Sequence, residues 1–113
     1  MRYWIFTAAL LAALPGHAAE MDIDHCKFPE PPVIADGSKA SQDEMAASGA
    51  AVRDFVGAMQ TSLECLDRAE ADLGAEITQE QKGTLTTLYN NGVDQMNTFA
   101  SNYNAQVQLF KAR

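Results

Sequence analysis

Apolar residues return every seven positions along two stretches of this chain. The first series is Met45, Val52, Met59, Leu66 and Leu73, with Phe55, Val56 and Leu63 widening the stripe at offsets of three and four. The second is Tyr89, Met96, Tyr103 and Phe110, with Leu85 and Phe99 at alternate positions and Gly92 and Gln106 interrupting them. A sustained seven-residue repeat marks a helix with one apolar seam, packed in coiled-coil fashion on a neighbour. Ser41-Gln-Asp-Glu44 and Thr78-Gln-Glu-Gln81 are capping boxes, in which first and fourth residues satisfy each other's backbone N–H groups. Asp43 and Glu44 add negative charge at the positive end of the first helix. Gly74, directly after Leu73, suits the left-handed position that ends a helix. The pattern therefore predicts helices over about 42–73 and 79–111, each roughly 45–50 Å long at 1.5 Å per residue. Gly83 and Gly92 are weak spots in the second, worth up to ~1 kcal/mol each relative to Ala. The connection at 74–78 is short, so the helices are expected to be antiparallel neighbours.

The N-terminus follows a different pattern. Arg2, an apolar run from Tyr3 to Leu14, a Pro-Gly break and small residues read as a secretory signal peptide over 1–18. The cut is placed after Ala18, with Ala19 as the other option. The apolar run falls short of the roughly 20 residues that span a bilayer, and an uncleaved anchor is the rival reading. Cleavage leaves one domain over 19–113, periplasmic or secreted, with no membrane insertion thereafter. Losing Arg2 takes the formal charge from −7 to −8, which disfavours nucleic acid and anionic membrane surfaces. Trp4 and His17 leave with the signal, and His25 is the one histidine that stays. General acid–base and nucleophilic sites usually rest on a partnered histidine, so an enzyme is not expected.

Two cysteines remain, Cys26 and Cys65, and an even pair in an oxidising compartment reads as one disulfide. A free pair and an intermolecular bridge are the alternatives. Pro29, Pro31 and Pro32 after Cys26 rule out helix and favour an extended polyproline course, while Asp36-Gly37 favours a turn. From Cys26 to Asp36 such an arm spans roughly 31 Å. From Gln42 to Cys65 the first helix spans roughly 35 Å. The match lets an arm over 26–40 leave its disulfide at Cys65, run back along the hairpin, turn, and enter the helix. Phe28, Val33 and Ile34 are then expected against the helices. Ala46, Ala47, Gly49, Ala50, Ala51, Gly57 and Ala58 supply low relief for close approach. Closing a loop of this length stabilises the fold by roughly 4 kcal/mol on the chain-entropy model. The fold class expected is all-α: a long antiparallel hairpin with a polyproline-like arm clipped to its first helix.

Cys26, Pro29, Pro31, Pro32, Asp36-Gly37, Glu44-Met45, Val52 and Cys65-Leu66 together form a pattern that resembles an uncharacterised family of small exported proteobacterial proteins. The likeness covers about forty residues and continues more loosely around Met96 and Asn104. It implies a periplasmic or secreted helical protein, and it carries over no functional residue.

Candidate chemistry is sparse. Glu20, Asp22, Asp24, His25 and Cys26 crowd the mature N-terminus, where copper, nickel or zinc could bind. Their spacing matches no metal signature and Cys26 is taken up by the disulfide, so a solvated acidic tail is expected, with no metal and no cofactor. Glu64, Asp67, Glu70, Asp72, Glu76 and Glu80 gather at the loop end, without the glycine-punctuated loop of a calcium motif. Glu64 and Arg68 form an i, i+4 pair, as on a solvated helix face. Met45, Met59 and Met96 sit at seam positions and read as core rather than as a copper site. The second helix is more unusual. Asn90, Asn91, Gln95, Asn97, Asn102, Asn104, Gln106 and Gln108 dominate its polar side, and Asp94 is the only charge between Lys82 and Lys111. Asn90, Asn97, Asn104 and Gln108 are the candidate partner face, for another protein or for a second copy. The expected role is a non-enzymatic exported interaction or envelope-associated structural protein. A periplasmic metal or small-ligand binder is the alternative.

Overall fold

The computed structural model describes residues 21–113, so the expected signal peptide at 1–18 lies outside the described residues. Helix α1 is Gln42–Leu73, helix α2 is Gln79–Lys111, and a single 3₁₀ turn at Gly74–Glu76 joins them. The caps fix these limits. Ser41 Oγ accepts from the Glu44 N–H at 3.1 Å, and Glu44 Oε1 accepts from the Ser41 N–H at 3.2 Å. At α2, Thr78 Oγ1 accepts from the Gln81 N–H at 3.1 Å, and Gln81 Oε1 accepts from the Thr78 N–H at 2.9 Å. Gly74 ends α1 with φ +54°, which favours glycine as expected. Its ψ of −130°, however, is the mirror image of extended backbone rather than left-handed helix. That conformation sends the chain straight into the 3₁₀ turn.

The helices pack antiparallel, as their contacts show. Leu66 lies beside Leu85 and Tyr89, Met59 and Leu63 meet α2 at Gly92, Phe55 meets Phe99, and Gly49 meets Tyr103. Phe55 and Phe99 form an edge-to-face pair with centroids 5.1 Å apart. Every member of the first seven-residue series is buried, and Met59 at the centre is wholly inaccessible. The second series sits differently. Met96, Tyr103 and Phe110 are half-buried and Tyr89 is 37 % exposed, whereas Leu85 and Gly92 are buried. The innermost line of α2 is therefore Leu85, Gly92, Phe99 and Gln106, itself spaced by sevens. The arm explains the shift: it covers the flank of α2 next to that line, so positions that would border a two-helix seam become its centre. Gly92, a weak spot by propensity, is where three layers meet. A Cβ there would lie 2.7 Å from Leu63 Cδ2, 3.0 Å from Met59 Sδ and 3.2 Å from Phe28 Cζ.

The arm holds neither helix nor strand and is joined to α1 by the Cys26–Cys65 disulfide, with Cα atoms 5.5 Å apart. Four groups then stitch it along the hairpin. Ser62 Oγ donates to the Lys27 carbonyl at 2.7 Å, and the Ala35 N–H donates to Ser48 Oγ at 2.9 Å. The Gly37 N–H donates to Gln106 Oε1 at 2.7 Å. Arg113, stacked 5.3 Å from the Phe110 ring centroid, donates to the Gly37 and Ala40 carbonyls. Ser48 and Ser62 are both buried, so these bonds satisfy hydroxyls that would otherwise be costly to bury. Only part of the expected low relief lies near the arm: Ala58 lines a recess with Lys27 and Pro29 and Ala51 is half-buried, whereas Ala46, Ala47, Ala50 and Gly57 are exposed. Gly49 is buried, but against Tyr103 of α2.

Phe28 and Ile34 are half-buried as expected, and Val33 is not, at 86 % exposed. Neighbouring side chains diverge in an extended segment, so Val33 must point outward when Ile34 and the Ala35 N–H turn in. The turn forms where Asp36-Gly37 foretold it. The Asp36 carbonyl accepts from the Lys39 and Ala40 N–H groups at 3.0 and 2.8 Å. The Asp36 carboxylate accepts from Ser38 Oγ–H at 2.6 Å and from the Ser38 N–H at 3.0 Å. Those two bonds hold its pKa below the usual carboxylate range. Glycine is needed at 37 for closeness rather than for an unusual φ, since a Cβ there would lie 1.9 Å from the Gln106 carbonyl oxygen.

Candidate functional site

Two places merit attention as sites. The first is the outer face of α2. Asn90, Asn97 and Asn104 are spaced by seven and Gln108 follows one turn on, so all four share one face of the helix. All four are exposed; Asn97, Asn104 and Gln108 lie on the side away from Gly92 and Phe99, and Asn90 borders the cavity next to Leu85. Lys111, seven residues beyond Asn104, adds an exposed positive charge at the far end of this face, while Asp94 lines a recess beside Pro31. Among the described residues, none exchanges a side-chain hydrogen bond with these amides. Each amide keeps donors and an acceptor free for a partner.

The polar residues of α2 do not all belong to this face. Gln106 is half-buried and turned to the arm, where it receives the Gly37 N–H. Asn102 lines a recess with Pro32, Ile34 and Asp36, and Asn91 and Gln95 line another beside Pro31. The amide richness of α2 therefore serves two sides, one facing the arm and one facing solvent. At its loop end the outer face reaches a shallow cavity of about 210 Å³, lined by Leu66, Leu85, Thr86, Tyr89 and Asn90 with Asp67 and Glu70 beside them. Tyr89, pushed outward by the shift of the α2 seam, supplies its exposed aromatic edge.

The second place is the anchored end of the arm. A turn closed by the Cys26 N–H on the Ile23 carbonyl at 2.9 Å sets Asp22 and His25 next to the disulfide. His25 Nδ1 lies 3.4 Å from Asp22 Oδ1, both side chains being largely exposed. One donor atom from each of His25, Cys26 and Cys65 falls within 4.8 Å of the others, with both sulfurs tied in the disulfide. Sequence reading grouped His25 and Cys26 with the neighbouring carboxylates but did not bring Cys65 to them. The signal was their adjacency: whatever Cys26 bonds to becomes a neighbour of His25. The other candidates disperse. Glu64, Asp67, Glu70, Asp72, Glu76 and Glu80 are exposed, and Glu64 and Arg68 approach only to 3.9 Å. Met45 and Met59 are buried and Met96 half-buried in the packing between the helices.

Comparison with family models, curated proteins and solved structures finds no match to the chain. Among the described residues no helix is long and apolar enough to cross a membrane.

Proposed function

We propose that this is a non-enzymatic exported protein that works by contact, through the outer face of α2, with a second copy of itself or with an envelope protein. The observation that carries the reading is an exposed line of neutral amides on a chain whose formal charge is −7. Burying a charge without a partner is far costlier than burying an amide that finds a hydrogen bond. The α2 face is therefore cheaper to desolvate than the carboxylate-bearing surfaces of this acidic molecule. Amides both donate and accept, so two such faces complement each other, and the scarcity of charge there limits repulsion between copies. Tyr89, at 37 % exposure, offers aromatic contact at the loop end of this face. The N-terminal pattern, the disulfide and the resemblance to exported helical proteins support a periplasmic or secreted location. The seven-residue seams support coiled-coil-like packing of α1 on α2 within the hairpin, which leaves the outer amide face free for association.

Sedimentation velocity over a range of concentrations tests the reading. Asn97→Lys and Asn104→Lys are expected to abolish association while circular dichroism shows the same helicity. Variants that associate like the parent overturn it. So does a parent that stays monomeric and captures no envelope protein from a photo-reactive residue at position 97.

A further inference from the structure

We propose that reduction of the Cys26–Cys65 bridge converts the anchored end of the arm into a zinc site, with Cys26, Cys65, His25 and Asp22 as its four ligands. Zinc takes thiolate, imidazole and carboxylate ligands in a tetrahedron, with Zn–S near 2.3 Å and Zn–N and Zn–O near 2.0–2.2 Å. The edge between a nitrogen and an oxygen ligand of such a tetrahedron is about 3.4 Å. His25 Nδ1 and Asp22 Oδ1 already stand 3.4 Å apart. The donor atoms within 4.8 Å of one another belong to His25, Cys26 and Cys65, so Asp22 must swing toward the sulfurs to complete the set. Two thiolates on one zinc sit about 3.8 Å apart, so the sulfurs must separate once the bond is gone. Cys65 is only half-buried and borders a cavity of about 310 Å³ lined also by Asp22, His25, Arg68, Ala69 and Asp72, which leaves room for that movement.

The ligands are held by more than the disulfide. Met21 and Ile23 pack against the core on either side of Asp22, and Ser62 grips the Lys27 carbonyl just beyond Cys26. Cutting the bridge therefore leaves the segment 22–26 tethered from both sides. The local charges suit the ion as well. Two thiolates and one carboxylate exceed the zinc charge by one, and Arg68 and Lys27 line the neighbouring cavities to offset the excess.

The chemistry balances in two steps. A dithiol gives two electrons and two protons to the bridge, becoming a disulfide itself and leaving two protein thiols. Zn²⁺ then displaces both thiol protons as the Zn–S bonds form. A disulfide donor reverses the sequence and expels the metal, so bridge and zinc exclude one another.

The test uses the purified protein, reduced with a phosphine, freed of it without air, and titrated with Co²⁺ as a spectroscopic stand-in for zinc. The expected result is one Co²⁺ per chain, with the intense visible bands of a tetrahedral ion and thiolate-to-cobalt charge transfer, both removed by zinc. No bands form before reduction or after reoxidation, and Cys26→Ser with Cys65→Ser abolishes them. His25→Ala and Asp22→Asn each weaken binding by at least about tenfold. The proposal is overturned by an absence of tetrahedral bands, including one that follows loss of helicity on reduction. It is equally overturned if His25→Ala binds like the parent, or if concentrated urea leaves the affinity unchanged, since the fold would then contribute nothing.

Discussion

Adding one methyl group at two different glycines should move stability in opposite directions. At Gly37 an alanine Cβ would stand 1.9 Å from the Gln106 carbonyl oxygen and 2.7 Å from its carbon, where ordinary contact begins near 3.4 Å. The obstruction is backbone inside α2, not the end of a flexible side chain, so the turn itself must retreat by about 1.5 Å. That retreat breaks the 2.7 Å bond from the Gly37 N–H to Gln106 and disturbs the grip of Arg113 on the Gly37 carbonyl. A lost intramolecular hydrogen bond costs about 1 kcal/mol, and forced overpacking about 1–3 kcal/mol. Gly37→Ala is therefore expected to destabilise by about 2–4 kcal/mol. At Gly57, on the exposed side of α1, a Cβ meets nothing within 4 Å. There only helix propensity acts, and Gly57→Ala should stabilise by up to ~1 kcal/mol. Urea titration followed by far-ultraviolet circular dichroism reads both changes from the midpoints. A Gly37→Ala chain within about 0.5 kcal/mol of the parent would refute the reasoning, because surface substitutions fall in that range.

Other substitutions probe the same architecture. Ser62→Ala removes the donor to the Lys27 carbonyl, with an expected loss of about 1–2 kcal/mol in the same titration. Phe28→Ala should cost about 2–3 kcal/mol, less than a fully buried phenylalanine, because Phe28 is half-buried where it closes over Gly92. Replacing both cysteines with serine should lower stability by about 4 kcal/mol through the loop that the bridge closes, again read by denaturation. Asp36 supplies a pH dependence. Ser38 lowers its folded pKa, so its contribution is present above the unfolded value and fades as pH falls through the folded one. Asp36→Asn should flatten that acid limb of the stability profile, as thermal melts between neutral and acid pH will show.

The helix limits were legible because capping boxes are local chemistry: Ser41 with Glu44 and Thr78 with Gln81 need no knowledge of the rest of the fold. The course of the arm was legible from length, since an extended segment after Cys26 and a helix leading to Cys65 span similar distances. The inner line of α2 was not. Two seven-residue series overlap there, and which of them lies deepest depends on the arm, a long-range partner that periodicity does not encode. For the same reason Gly92 read as a weakness and Gln106 as part of a solvent-facing surface, although both meet neighbours far away in sequence. The candidate amide face was visible as composition, while its separation into an arm-facing and an outer side needed the register of α2 against the arm.

The central claim is that the arm is a third packed layer, and hydrogen exchange at the Ala35 and Gly37 amides tests it most directly. Both lie outside helix and strand, and each has a specific acceptor on the hairpin, Ser48 Oγ and Gln106 Oε1. If the arm is packed as described, these two amides exchange far more slowly than those of an unstructured peptide, and Ser48→Ala releases the first of them. Exchange at the unstructured-peptide rate, in a protein whose α1 and α2 amides remain protected, would contradict the account.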